Sequence, residues 1–293
     1  MSNTLNRLRK RYALNQYAIT VAIGAQHPVA VEWAKRVVTN GGDTPSSNTV
    51  SALSTFMFGM DANGLTGKIT LINAFVPDSL IATLTPLLKN VSSNDPWTNY
   101  NFVSGDLSVN GLQGNNSNKY LDTGINPTGL LTTTGACVIH YCTLAGSTGC
   151  TRMGSAIATG AFRFSWDNGG LGDYWSCYDT TYQGGVMNNS TYFLGYICGS
   201  KTSATTRIIY EANSTTTHYA ASTTTGTDGA GHNAIPTQNL LCYCSNEGGT
   251  PVGFYPGRLS FAAVGGTGLS ATDSLNLYTL VQAMRMSLGG GYV

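Results

Sequence analysis

Residues 257–289 read GRLSFAAVGGTGLSATDSLNLYTLVQAMRMSLG, and this stretch decides the fold class. Leu259, Phe261 and Ala263 alternate with Ser260, Ala262 and Val264, the period-2 pattern of a half-buried strand. Gly265, Gly266 and Gly268 break that pattern. Ser270 is a candidate helix N-cap, and Asp273 is placed to complement the unbonded N–H groups and the positive end of the helix dipole. From Ala271 to Leu288, the residues Leu277, Tyr278, Val281, Met284 and Leu288 recur at helical spacing and form one apolar stripe. A closing strand followed by a lone covering helix predicts a mainly β body with one face or edge sealed by that helix.

Composition agrees. The 293 residues are 42% hydrophobic but only 10% charged, with 36 glycines, whereas average proteins carry about 25% charged residues. A neutral Ser/Thr/Asn surface with many turn formers favours a sandwich over a helical or α/β protein. Aromatic residues make up 10% of the chain and run through all of it, enough to build a core and so to argue against disorder. A net charge of +1 gives no general attraction to nucleic acid. No apolar run approaches the roughly 18 residues of a membrane span, and Val21–Ala25 is too short for the apolar region of a signal peptide. The seven cysteines include no CxxC and sit among apolar neighbours, which favours buried free thiols over disulfides or zinc.

Along the chain, Arg7, Arg9, Lys10 and Arg11 form a basic N-terminal arm, residues 1–25. A solvated terminus would carry the same charges; the functional reading is docking on an acidic protein surface. Val29, Ala30, Trp33, Ala34, Val37 and Val38 make one face of a helix over 28–39, with Pro28 in its first turn and Gly41-Gly42 as its stop. Trp33 on that face is grouped with the basic residues as a candidate anchoring contact. A second helix is expected after Ser46, then a short capped segment from Asp78 to Leu88 broken at Pro86. Together these give a small, mainly helical anchoring unit over 26–94. Past Ser92–Pro96 the helical period disappears. Strand-like runs recur at Phe102–Leu112, Lys119–Asp122, Ala136–Leu144, Phe162–Asp167, Tyr174–Tyr178, Tyr192–Cys198, Arg207–Ala212, Leu240–Cys244 and Arg258–Val264. Turn residues separate them, which predicts an antiparallel two-sheet sandwich over 95–293.

Chemistry-bearing residues are sparse. A retaining glycosidase of this fold needs two carboxyl groups about 5 Å apart, yet only Glu32, Glu211 and Glu247 are glutamates and none has a carboxylate two or four residues away. Asp173 and Glu211 are the weak candidates. His27, His140, His218 and His232 are scattered, and His140 lies inside an apolar run. GGTGLS at 265–270 lacks the lysine of a phosphate loop and follows the last strand. Catalytic groups, metal ligands and cofactors are therefore not expected, and the chain is read as a non-enzymatic protein. Trp166, Tyr174, Trp175 and Tyr178 sit among Asn, Asp and Gly, and are the candidate contacts for a glycan or a partner.

Four stretches carry a resemblance: KITLINAFVPDSLIATLTPL (68–87), DPWTNYNFVSGDLSVNGLQGNNSNKYLDTGINP (95–127), RIIYEANST (207–215) and the closing strand and helix. They resemble virion proteins of tailed bacteriophages that carry a laminin-G/concanavalin-A-like jelly roll, over roughly 65–289. The resemblance implies a virion structural component, a capsid decoration, head fibre or tail receptor-binding part. It would be held by its N-terminal region and would expose the sandwich to subunits or to the host surface. The partners it implies are other virion proteins, further copies of the chain and a host-surface glycan, without nucleic acid or membrane. A glycan-binding adhesin and a concanavalin-like glycoside hydrolase are the alternatives.

Overall fold

The computed structural model describes residues 26–132, 135–146, 149–157, 160–166, 173–177, 194–213, 219–225 and 235–291; the side chains of 160, 163–166, 173, 174, 176, 219 and 221–225 fall outside that description. The basic arm, 1–25, also lies outside it. Four α-helices are present among the described residues: α1 (Pro28–Thr39), α2 (Ser47–Ala62), α3 (Leu80–Leu84) and α4 (Ala271–Ser287). The strands are β1 (Leu71–Ala74), β2 (Leu88–Lys89), β3 (Thr98–Tyr100), β4 (Leu107–Ser108), β5 (Gly111–Gln113), β6 (Tyr120–Asp122), β7 (Ala136–Leu144), β8 (Thr151–Ile157) and β9 (Gly160–Trp166). They continue as β10 (Asp173–Cys177), β11 (Gly195–Lys201), β12 (Thr206–Ala212), β13 (Tyr219–Thr225), β14 (Leu241–Cys242), β15 (Ser245–Glu247), β16 (Thr250–Val252) and β17 (Arg258–Gly265).

The strands form two sheets, so the chain is mainly β with helices near both ends, as the composition and the closing stretch predict. The first sheet runs β13-β12-β11-β7-β17-β1-β2, with β5 also on β17 and β4 on β5. The second runs β10-β9-β8-β14-β6-β3, with β15 and β16 attached beside β8. Pairing is antiparallel except between β15 and β8. The helices pack on the outer face of the first sheet, which makes three layers: helices, first sheet, second sheet.

Strand β7 shows how the sequence supports this. Ala136, Val138 and Cys142 face the core between the sheets, while Cys137, Ile139 and Tyr141 face a second core under the helices. Strand β17 divides likewise, with Ala262 and Val264 between the sheets and Phe261 and Ala263 under the helices. It is therefore buried on both faces, which corrects the half-buried reading of 258–264. The cause is the helical layer, which removes from water the face that would otherwise be polar.

The same layer removes the expected boundary near residue 94 as a seam. Strand β1 pairs with β17, Leu71 opposite Val264 and Ala74 opposite Phe261, so the segment before 94 supplies part of the first sheet. Its four residues are all buried, and without alternation they read as part of a helical unit. The helices then close over the sheet. Ser270 and Asp273 form the expected capping box on α4, and Lys68 Nζ reaches both Asp273 carboxylate oxygens at 2.7 Å. Tyr196 Oη and Ser274 Oγ lie 3.1 Å apart, and the Arg285 guanidinium stacks 3.9 Å from the centre of the Tyr141 ring. Helix α4 crosses α2 at Gly59, where a Cβ would stand 2.2 Å from Leu280 Cδ2.

Between the sheets, Trp175 is fully buried beneath Gly199, and a Cβ on Gly199 would lie 2.6 Å from the indole ring. Overpacking of this kind costs about 1–3 kcal/mol. Gly199→Ala is therefore expected to lower the unfolding free energy by that amount in urea titration. Gly105→Ala, with open space at its Cβ, is expected to stay within about 0.5 kcal/mol of the parent.

Candidate functional site

Three of the polar groups withdrawn from water fall on one line across the first sheet. In register, Asn73 opposes Ala262, Ala262 opposes His140, His140 opposes Ile197, and Ile197 opposes Glu211. Directly opposed residues share a face, and Ala262 and Ile197 belong to the core between the sheets. Asn73, His140 and Glu211 therefore face that core, all at 0% exposure. From the second sheet comes Arg152, its guanidinium 5.4 Å from the centre of the Tyr255 ring. Burial pushes the His140 imidazole well below its ordinary pKa, and the Arg152 charge pushes it the same way. The Asn73 amide has no hydrogen-bond partner on either atom within the described residues, which makes it a costly group to bury.

This line contains one of the two carboxylates weighed as catalysts. Glu211 is sealed in β12, on the face of the core. Asp173 lies in β10 with its backbone opposite Trp166. No group of three or more His, Cys, Asp or Glu side chains able to hold a metal gathers among the described residues. All seven cysteines are buried and unbridged. Burial, against the hydrogen bonds of Tyr196 and Ser274, pushes the Cys198 thiol up to about 12, so it stays protonated and a poor nucleophile at neutral pH.

The residues proposed from sequence as contacts divide as follows. Arg7, Arg9, Lys10, Arg11 and Tyr178 lie outside the described residues. Trp166 and Tyr174 lie in β9 and β10, opposite Asp173 and Ser165, with side chains outside the description. Trp33 is a correction. It is 1% exposed, and its indole N–H donates to the Thr85 carbonyl at 3.0 Å, so it holds α1 to the body and offers no surface. Trp175 is a second correction, because its ring fills the core and cannot meet a glycan. Its polar neighbours suggested a surface, but in β10 Trp175 and Cys177 share the inward face. That two-residue spacing was the legible signal.

Two outward features stand out on the helical side. A groove of about 460 Å³ runs between α1 and the chain from Leu87 to Asp95. Internal bonds brace it: Arg36 donates to Asp95 at 2.7 Å and to the Pro86 carbonyl at 2.7 Å, and Lys89 stands 3.6 Å from the same carboxylate. The second feature is the outer face of α2 and α4. Helix α2 exposes Ser47, Asn48, Ser51, Thr55 and Phe58, and α4 exposes Thr272, Leu275, Thr279, Ala283 and Met286. Phe58, Leu275 and Met286 are 50%, 44% and 49% exposed. The charged residues of the two helices are tied down, Asp61 on His27 at 2.8 Å, Asp273 on Lys68, and Arg285 over Tyr141. This face carries no exposed Lys or Arg, and Asp61 is its one exposed carboxylate, unlike the charged outer side of an ordinary surface helix.

Two measurements test these assignments. A thiol reagent is expected to label none of the cysteines in the native protein and all seven after denaturation. For His140, the folded pKa lies well below the unfolded value, so below about pH 6.5 the unfolded chain binds a proton that the folded chain refuses. Stability is then expected to be full above that pH and to fall by up to about 1.4 kcal/mol per unit as pH drops toward the folded value. Urea midpoints from pH 8 to pH 5 would show this, and His140→Gln should flatten the slope.

Comparison with known proteins gives fold likeness alone. No family model matches the chain, and no curated protein does. Similar solved structures include the NanB sialidase of Streptococcus pneumoniae, 12% identical over 56% of this chain and 26% of that one, with a TM-score of 0.35. A Trypanosoma rangeli sialidase mutant displaying trans-sialidase activity is 11% identical over 79% of this chain and 39% of that one, with a TM-score of 0.47. A GH54 α-L-arabinofuranosidase is 12% identical over 62% of this chain and 42% of that one, with a TM-score of 0.37. The chain thus spans less than half the length of each of these structures. The reading of the chain as non-enzymatic is corrected by these neighbours, which are glycoside-processing enzymes, and it is not kept. Their likeness transfers no activity to this chain.

Proposed function

We propose that the chain is a structural component of a bacteriophage particle, docked by its helical layer and its basic N-terminal arm, with the second sheet turned outward. The observation that carries this reading is the outer face of α2 and α4. It combines exposed Phe58, Leu275 and Met286 with Ser, Thr, Ala and Asn, and its exposed carboxylate, Asp61, is hydrogen-bonded to His27 at 2.8 Å. Such a face can meet a neighbouring subunit while stripping water from few ions, a costly step at interfaces. The low overall charge suits a protein packed in many copies, where like charges would repel. The sequence resemblance to phage virion proteins supplies the kind of assembly. The partners are other virion proteins and further copies of the chain, and its location is the virion.

Particles purified from a host carrying the gene, probed by mass spectrometry and immunogold labelling, test this. The protein is expected to co-purify with particles. The paired substitution Phe58→Asp and Leu275→Asp, on exposed positions, should leave the melting temperature close to the parent and abolish incorporation. Absence of the wild-type protein from intact particles would overturn the reading.

A further inference from the structure

The second sheet, on the side away from the helices, ends in strand β3, whose residues Thr98, Asn99 and Tyr100 are all exposed. Tyr100 opposes Tyr120 of β6. Their rings stack with centres 4.2 Å apart and planes 8° from parallel, and the ring of Phe254 lies 6.1 Å beyond Tyr120. The three rings form a row running inward from the sheet edge. Leu121, next to Tyr120, is in the core between the sheets, so strand alternation turns Tyr120 and Tyr100 toward the outer side. Tyr120 is half-buried and touches the margin of that core. Tyr100 is the open end, 38% exposed, and among the described residues no strand lies beyond β3. One face of its ring is therefore held by Tyr120, and among the described residues no strand covers the other.

The surroundings of this ring are amides and hydroxyls. Asn101, next in sequence, and Asn118, to which it is bonded, are exposed, as is Ser117. Asn101 adopts a left-handed backbone, φ 67, and its side-chain N–H donates to the Asn118 carbonyl at 2.8 Å. Asn118 in turn accepts at its side-chain oxygen from Asn115 Nδ2 at 2.9 Å. These bonds fix the rim in place before any ligand arrives. Lys119 and Asp106 are paired with each other, and Asp122, two residues from Tyr120, is held by the Asn239 amide at 3.1 Å. Burial raises the Tyr120 hydroxyl pKa, and the neighbouring Tyr100, Cys244 and Asp122 push it the same way.

We infer that the Tyr100–Tyr120 pair is a stacking platform for a neutral pyranose saccharide. A sugar ring has one apolar C–H face and a rim of hydroxyls. An aromatic ring held rigid on one side takes the first, and side-chain amides, which both donate and accept, take the second. A charged or strongly acidic glycan finds no free cation here. The assignment replaces Trp175 as the glycan contact, and it does not depend on membership of a particle, because the isolated protein carries the whole site.

The test is an array of immobilised neutral oligosaccharides from bacterial surfaces, probed with the purified full chain. Retention of at least one pyranose oligosaccharide is expected, and Tyr100→Ala should weaken it by tenfold or more. Tyr100→Phe, which keeps the ring, should stay within about threefold of the parent. Asn101→Gly provides a second variant, since φ 67 is a conformation glycine accepts freely. It should weaken binding without loss of fold. Circular dichroism checks folding for each variant. The assignment is overturned if no saccharide is retained, or if retention survives in a folded Tyr100→Ala. It is also overturned if the only property Tyr100→Ala removes is self-association of the protein, which would make the platform a subunit contact.

Discussion

Every central strand of the first sheet has to present apolar side chains both upward and downward, because helices cover one face and the second sheet covers the other. That double burial orders much else in the fold. It explains why β7 and β17 run nearly continuously apolar, and why β1 and α4 must close on the same sheet. It also makes polar side chains expensive wherever they face either core. His140 is held neutral by its setting, Arg285 lies flat on the Tyr141 ring, and the tyrosine hydroxyls find partners, Tyr243 on the Leu112 carbonyl and Tyr255 on the Leu144 carbonyl. Thiols serve as small apolar groups in the same places.

How much of this could be read from the chain depended on whether a pattern survived the double burial. The closing helix was fully legible, with its Ser270 cap, its Asp273 partner and its stripe of Leu277, Val281 and Met284. So were β7 and β12, long runs bounded by turns. Strands β1 and β8 were not. Leu71–Ala74 has no alternation because both its faces are buried, and Thr151–Ile157 mixes Arg152, Gly154 and Ser155 into a strand that is buried almost throughout. In both, tertiary burial overrides any local period.

The surfaces were harder still. Polar neighbours in sequence made Trp175 look exposed, although it sits on the inward side of its strand. Tyr100 and Tyr120 lie twenty residues apart, and only the pairing of β3 with β6 stacks them. A stacked pair is a property of register, and register is decided by the whole sheet. The outer face of α2 and α4, poor in charge, is likewise a product of two segments far apart in the chain. Each segment alone reads as an amphipathic helix with a small polar side.

The meeting of those opposite ends has a consequence for how the protein comes into being. Lys68 and Asp273, which tie α4 to the segment leading into β1, are 205 residues apart. On a ribosome adding about 5–20 residues per second, the early helices and β1 wait roughly 10–40 seconds for their cover. Throughout that interval Phe56, Met57, Ile72 and Phe75 have no β17 or α4 to bury against. The native arrangement is therefore reached only after almost the whole chain has emerged. A nascent chain of this design carries those apolar faces uncovered until its closing strand and helix emerge.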